Sequence, residues 1–440
     1  MIVEWLGRPR DRRSSRGPAD DDPQPPPVPR HLAPGRPRPA RAAGPGGRGP
    51  GRAGAAPPRP LAGRPLPRPA PPFHIRVLPL VRRAARICAL GFLGAYDVRA
   101  KAVLEPQARW IADAGVGAIA LSWWGRGSDQ DANVPYVMDV MKDHDVKVTF
   151  ALEPYADYRG QRYASDILYL IEQYGDKRGW DAFLVLKNED GSEGPVFKGF
   201  RCILPRESTD CHGVTRPVDD YTPDAVWRAQ TDGLRDALRR DFDHVTLLAD
   251  SLEFARTPAS GFDGIGIYDN NVGPETYAGY AAGASRAGLL FSFNVNPGFD
   301  SIVPRTIPDC YAPPAFVPAA AGLDFARADD RERAAQLSQQ RIVDSFAGTV
   351  QVQTDPALTN ARRGFFLVYI NSFNEWHEGH AFEPMKDAAD LTPAERSLGY
   401  HNPARGDYRL ATLGRLVQGV LAGGGGSFDR RPRRGLSWPA

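Results

Sequence analysis

The chain has 440 residues, a formal charge of +3, 42% hydrophobic and 24% charged residues, an ordinary composition for a soluble protein that averages two different parts. Residues 1–70 hold 14 Arg, 18 Pro and 10 Gly against 5 acids, a charge of +9, which leaves −6 for residues 71–440. A nucleic-acid-binding domain would carry its basic surface on the folded part, four cysteines (Cys88, Cys202, Cys211, Cys310) are too few for a disulfide framework, and no apolar run reaches the ~18 residues of a membrane-spanning helix.

Taken in chain order, residues 1–72 lack the apolar surface to offset ordering entropy, so a disordered leader is expected. A basic interaction tail is one alternative. Another is a stretch out of its native frame, since Arg without Lys beside Pro, Gly and Ala is what GC-rich DNA gives when misread. Arg82, Arg83 and Arg86 before the apolar run 87–96 resemble a signal peptide, but the run lies far from Met1 and lacks an A-x-A site. Localisation and oligomeric state stay open. Cys202 and Cys211 could pair across a short loop; free or buried thiols are the plainer reading.

From about residue 95 apolar runs recur at 116–122, 146–152, 245–249, 262–267, 289–294 and 365–370, with a weaker one within 182–186 or 196–200. Helical patterns lie between them at 100–114, 135–144, 163–174, 224–240, 277–287 and 329–346. Strands apolar on both faces and alternating with helices predict a parallel sheet covered on both sides. Their number predicts a (β/α)8 TIM barrel over 90–422. No G-x-G-x-x-G opens a helix and no phosphate-binding G-x-x-x-x-G-K-[ST] is present. The first strand must come from 73–81 or 87–93, and the Gly-rich end, 423–440, is expected to be a flexible tail.

Barrel enzymes work at the C-terminal ends of their strands, so the residues ending each run matter. They are Trp123 and Trp124; Glu153 and Tyr155; Asp250; Tyr268 and Asp269; Asn296; and, after the last run, Asn371 to Gly379. Aromatic faces stack on the C–H surfaces of sugars while carboxylates and amides fix hydroxyls. Each residue has a plainer reading: Trp123 and Trp124 as core packing, Glu153 as a loop cap, Asp250 and Asp269 as helix caps. Asn374, Glu375, Trp376, His377, Glu378 and Gly379 form a denser block, with two carboxylates three residues apart behind a buried strand. Glycoside cleavage needs one protonated and one ionised carboxyl. On one helical turn, Glu375 and Glu378 would lie ~5–6 Å apart at Cβ.

The octapeptide Ser372 to Gly379, followed by Glu383-Pro384, resembles glycoside hydrolase family 99, the endo-α-mannosidases and endo-α-mannanases. The likeness runs from about 94 to 384 and includes Leu121-Ser122-Trp123-Trp124, Phe150 to Tyr155, Gly261 to Ile265 and Asn296 to Asp300. It implies a retaining, endo-acting hydrolase of an oligosaccharide or polysaccharide, active in a secreted, periplasmic or lumenal setting, without metal or cofactor. By similarity Glu375 is the base acting on the sugar's own 2-hydroxyl, giving a 1,2-anhydro sugar. Glu378 is the general acid and then the base for water. The substrate-binding set is Trp123, Trp124, Glu153, Tyr155, Tyr268, Asn296, Phe299, Asn374, Trp376 and His377. The sequence departs from the family at the aromatic first strand, at Ala151 (His in the family), Phe299 (Tyr) and His380 (Thr), and in a segment 198–223 that looks inserted. Two rivals remain: a metal hydrolase using His377, His380 and Glu383, one residue short of H-E-x-x-H spacing, and a carbohydrate-binding barrel without activity.

Overall fold

The computed structural model describes residues 2–5, 90–156, 158–188, 190–210, 212–268, 272–299, 322–398 and 400–422. Eight strand positions make the barrel: β1 (Ile2–Trp5), β2 (Ala118–Trp123), β3 (Lys147–Leu152), β4 (Glu193–Gly199), β5 (Thr246–Ala249), β6 (Gly264–Gly266), β7 (Leu290–Ser292, resuming as Asn294–Val295) and β8 (Val368–Ile370). Strands neighbour one another in this order. The first piece of β7 pairs with β6 and the second with β8, so the sheet closes. Strands β2 to β8 pair in parallel, as the apolar runs predict.

Parity along the strands sorts the core. Ile119 and Trp123 of β2, with Val148, Phe150 and Leu152 of β3, face outward onto Leu104, Ala108 and Ile111 of α1 (Lys101–Asp113) and Val134, Met138 and Met141 of α2 (Asp129–Asp143). Each fully buried side chain of this size contributes roughly 1.5–3 kcal/mol of transfer free energy. The other parity faces the barrel axis, where Ala120 and Ala151 leave room for Tyr369 and Tyr268. The outer ring continues with α3 (Tyr163–Leu170), α4 (Asp224–Leu238), α5 (Tyr277–Arg286), α6 (Ala328–Thr354) and α7 (Tyr408–Leu421). Helix α2 starts six residues before its expected 135 because Ser128 caps it, its side chain accepting from the Asp131 amide at 3.1 Å.

Three expectations are corrected. The first strand comes neither from 73–81, which lies outside the described residues, nor from 87–93, whose described part is a turn bridging Gly91 to Met385. Ile2–Trp5 occupies the slot and runs antiparallel to β2 and β8. Residues 2–5 of the expected leader are thus strand, since Ile2 and Val3 are apolar and β-branched beside the Arg, Pro and Gly of the rest; 6–72 lie outside the described residues. Of the two weaker runs, 196–200 supplies the end of the barrel strand β4, whereas 182–186 bridges β3 in parallel at Phe183 and Val148 and then enters Val185–Lys187, the antiparallel partner of β4. Lys198 and Gly199 are thus barrel residues, not insertion, and the stretch after them carries an exposed hairpin pairing Glu207–Thr209 with Thr215–Pro217. Cys202 is a free, buried thiol whose pKa burial pushes up to about 12; Cys211 and 423–440 lie outside the described residues. Among the described residues no helix is long and apolar enough to cross a membrane.

Candidate active site

Strand β8 delivers the loop that carries the two carboxylates. The loop folds back on itself: Ser372 N donates to His380 O at 3.3 Å, Phe382 N to Ser372 O at 3.0 Å and Glu383 N to Phe373 O at 2.8 Å. Within this frame Glu375 N donates to Ser372 Oγ at 3.1 Å. Glu378 N donates to Glu375 O at 3.3 Å, which closes a single 3-10 turn over Trp376–Glu378. Gly379 ends the turn at φ 75°, a left-handed conformation that a side chain would oppose. The expected turn is therefore present, in its tighter form.

The turn brings Glu375, Glu378 and the buried His380 together, with one ligating atom of each within 4.8 Å of the others. Glu378 Oε2 lies 3.2 Å from His380 Nε2 and 3.5 Å from the Tyr268 hydroxyl. Tyr268 is pinned at its backbone by three strand ends: its amide donates to Asp250 at 3.0 Å, and its carbonyl accepts from Asn294 at 3.0 Å and Asn371 at 2.7 Å. The rings of Tyr268 and Phe299 meet His380 edge-on, at 6.1 and 5.8 Å between centroids. Phe299 thus walls the imidazole.

Glu153, at the end of β3, is the third carboxylate of the rim. Burial raises its pKa and the Glu375 carboxylate adds to the rise, against the Ser122 hydroxyl that donates to it and the Lys198 ammonium. Lys198 stands inside the barrel, its Nζ 3.4 Å from the centre of the Tyr369 ring. Trp124 is 44% exposed, open to a ligand. Tyr155 is half-buried and its hydroxyl donates to Asp166, so it offers a ring rather than a free hydroxyl.

Other expected contacts are displaced. Trp123 is fully buried in the layer between sheet and helices, its indole donating to Asp131 at 2.8 Å, because its parity is that of Ile119. Asn296 is fully buried and its side chain is spent on Asn294, Arg341 and the Gly298 amide. Trp376 is buried, its indole donating to Glu383 at 2.7 Å. Asn374 is half-buried and donates to the Tyr96 hydroxyl at 3.1 Å. The His377 side chain lies outside the described residues.

Glu383 is a buried hub that the sequence did not reveal as such. It accepts from Trp376, from Tyr96 at 2.9 Å and from Gln107 at 2.8 Å. His380 and Glu383 therefore serve different partners, and the metal set His377, His380 and Glu383 is not assembled by them. Among the described residues, Glu375, Glu378 and His380 form the group whose donors could hold a metal ion. Their Glu378–His380 contact already has hydrogen-bond length.

A closed (β/α)8 barrel with paired carboxylates and an open tryptophan at its C-terminal rim has the layout of a glycosidase barrel. Residues 88–190 match Glycosyl hydrolase family 99. The glycoprotein endo-alpha-1,2-mannosidase of Mus musculus is 26% identical over 308 residues, 66% of this chain and 55% of its own length. The glycoprotein endo-alpha-1,2-mannosidase-like protein of Homo sapiens is 25% identical over 320 residues, 71% of this chain and 60% of its own. The chain thus spans little more than half the length of these relatives. The GH99 endo-alpha-mannosidase from Bacteroides thetaiotaomicron has a similar structure, with a TM-score of 0.53 at 19% identity, covering 77% of this chain and 84% of that one. The structural likeness establishes the fold.

Proposed function

We propose that the chain is a retaining, endo-acting glycoside hydrolase that cleaves α-mannosidic or related α-glycosidic linkages in an oligosaccharide or polysaccharide. The observation carrying this reading is the pairing of Glu375 and Glu378 on one turn behind β8, with carboxylate oxygens within 4.8 Å. Retaining enzymes hold their carboxyls about 5–5.5 Å apart, inverting ones about 6.5–9.5 Å. The short separation leaves no room for a water between attacking and leaving sides.

In this reading Glu375 takes the proton of the sugar's 2-hydroxyl as that oxygen attacks C1. Glu378 gives its proton to the departing glycosidic oxygen, and a 1,2-anhydro sugar results. Glu378, now ionised, takes a proton from water as the water opens the anhydro ring at C1, and Glu375 returns a proton to O2. Both carboxyls end as they began and configuration is retained. The rim aromatic Trp124, with the rings of Tyr155 and Tyr268, supplies surfaces for sugar C–H faces.

The test compares kcat/KM for two α-mannosides, one with a sugar leaving group and one with fluoride, in wild type and Glu378→Gln. Only the sugar leaving group needs protonation in the transition state. The expected loss is on the order of 100-fold or more for the sugar and much smaller for fluoride. Equal losses refute the role of Glu378. Oligosaccharide binding by the wild type without turnover of either substrate would favour the non-catalytic barrel. A 2-deoxy substrate is expected to be inert, and a glycosylated Glu375 peptide in quenched enzyme would refute participation of the 2-hydroxyl.

A further inference from the structure

The loop bearing Glu378 is held from outside the barrel by a buried cation. Arg409, in the first turn of α7, is 2% exposed. Its Nη1 donates to Gly379 O at 2.9 Å and to Ala381 O at 3.0 Å, the carbonyls on either side of His380. Its Nε donates to Ser338 Oγ at 3.1 Å and to the Tyr408 hydroxyl at 3.0 Å. Ser338, on α6, in turn donates to Pro297 O at 2.6 Å, in the segment that leads to Phe299. One guanidinium thereby ties α6, α7 and the end of the carboxylate turn into a single network.

Burying a cation is costly unless its donors are met, and a well-packed apolar side chain would serve packing alone. The planar guanidinium can bridge two carbonyls while its Nε engages two hydroxyls; a lysine ammonium, a point donor on a flexible stem, cannot span that set. The carbonyls it grips begin one residue after Glu378, and the residue between them, His380, lies 3.2 Å from Glu378 Oε2. A shift of the grip moves the acid and its imidazole neighbour together. Glu375 is tied instead at the opposite end of the turn, by Ser372.

We propose that Arg409 is a positioning residue that sets the placement of Glu378 for proton donation, so that the C-terminal helix is part of the catalytic apparatus. The proposal rests on the reading of Glu378 as the acid. Its signature is a loss selective for leaving groups that need protonation, which a merely structural role would not produce.

The experiment measures kcat, KM and melting temperature for wild type and Arg409→Lys, with the sugar-leaving and fluoride substrates. A misplacement of about 1 Å can cost on the order of 100-fold in rate. A loss of about 10- to 100-fold in kcat/KM is therefore expected for the sugar leaving group, carried by kcat, with less than about threefold for fluoride. Equal losses on both substrates, or a loss carried wholly by KM, overturn the proposal. Inactivity of the wild type on both substrates would instead overturn the functional reading itself. If Arg409→Lys does not fold, Tyr408→Phe carries the same test: it keeps the guanidinium and removes one acceptor of Nε. A smaller loss with the same selectivity supports the proposal, and an unchanged or unselective profile overturns it.

Discussion

Trp123 and Trp124 are adjacent in sequence, one fully buried and the other 44% exposed, and replacing each with alanine tests whether stability and binding divide between them. Trp123→Ala removes a fully buried indole from between β2 and α2. Such truncations cost about 3–5 kcal/mol, and the lost hydrogen bond to Asp131 adds about 1 kcal/mol. With an unfolding entropy of about 2.1 cal/mol/K per residue over roughly 300 residues, each kcal/mol shifts the melting temperature by about 1.6 °C. A drop of roughly 6–10 °C is expected, with KM of the residual folded enzyme unchanged. Trp123→Phe removes the hydrogen bond together with part of the buried ring. Asp131 keeps donors from Tyr169, Tyr174 and Gly127, so the hydrogen bond accounts for about 1 kcal/mol of the loss and the vacated volume adds to it. Burial alone would raise the Asp131 pKa, but the donors, Trp123 foremost, hold it below its usual 3.8. A depressed folded-state pKa gives stability that is present above the unfolded value and lost as pH falls through the folded one. The cost of Trp123→Phe is therefore greatest near neutral pH and shrinks on acidification below about 4. Trp124→Ala, at an exposed position, is expected to leave the melting temperature unchanged and raise KM several-fold. A stable Trp123→Ala enzyme with a raised KM would refute the division.

The parts of the fold legible in the sequence are those whose residues bury both faces. The runs that became β2, β3, β5, β6, β7 and β8 are apolar at successive positions because the barrel covers them inside and out, so neither register nor partner is needed to read them. Glu375 and Glu378 are legible for the converse reason, as charges placed directly behind such a run. Facing is another matter. Whether Trp123 or Trp124 meets a ligand depends on which parity of β2 points to the helices, and that is set by its pairing with β3. Asn296 has the composition of a sugar ligand, yet Arg341 and the Ser345 hydroxyl, 45 and 49 residues away on α6, engage it in the interior. Trp376, between the two glutamates, turns to Glu383 and away from them. Arg409 gives no signal in the sequence because Gly414 and Gly419 dilute the helical pattern of α7, carried by Leu410, Leu413, Val417 and Val420.

Two further predictions concern the frame around the site. Glu383→Gln puts an amide donor among Tyr96, Gln107 and Trp376 and costs about 1–3 kcal/mol. Burial raises the Glu383 pKa in the folded state, a contribution that is full below about 4.5 and is lost as pH rises through the raised value; the penalty measured by urea unfolding is expected to shrink from pH 4.5 to pH 8, and one that grows would refute the assignment. The last prediction addresses β1, where the structure parts most clearly from the sequence reading. A composition average over 1–72 predicts that deleting this segment leaves stability unchanged. The backbone of Ile2–Trp5, however, lies between two strands, with Val3 facing Ile119 on one side and Ile370 on the other. Proline at position 3 removes a ladder donor and leaves an acceptor in β2 or β8 without its partner, at about 1–3 kcal/mol. A fall of roughly 2–5 °C in melting temperature is expected for Val3→Pro, with faster amide exchange confined to β2 and β8, the strands that adjoin the seam. Deletion of 1–72 opens both edges at once and is expected to lower the melting temperature further. Unchanged melting and exchange in both variants would show that β2 and β8 do without Ile2–Trp5, and the antiparallel strand would have to be abandoned.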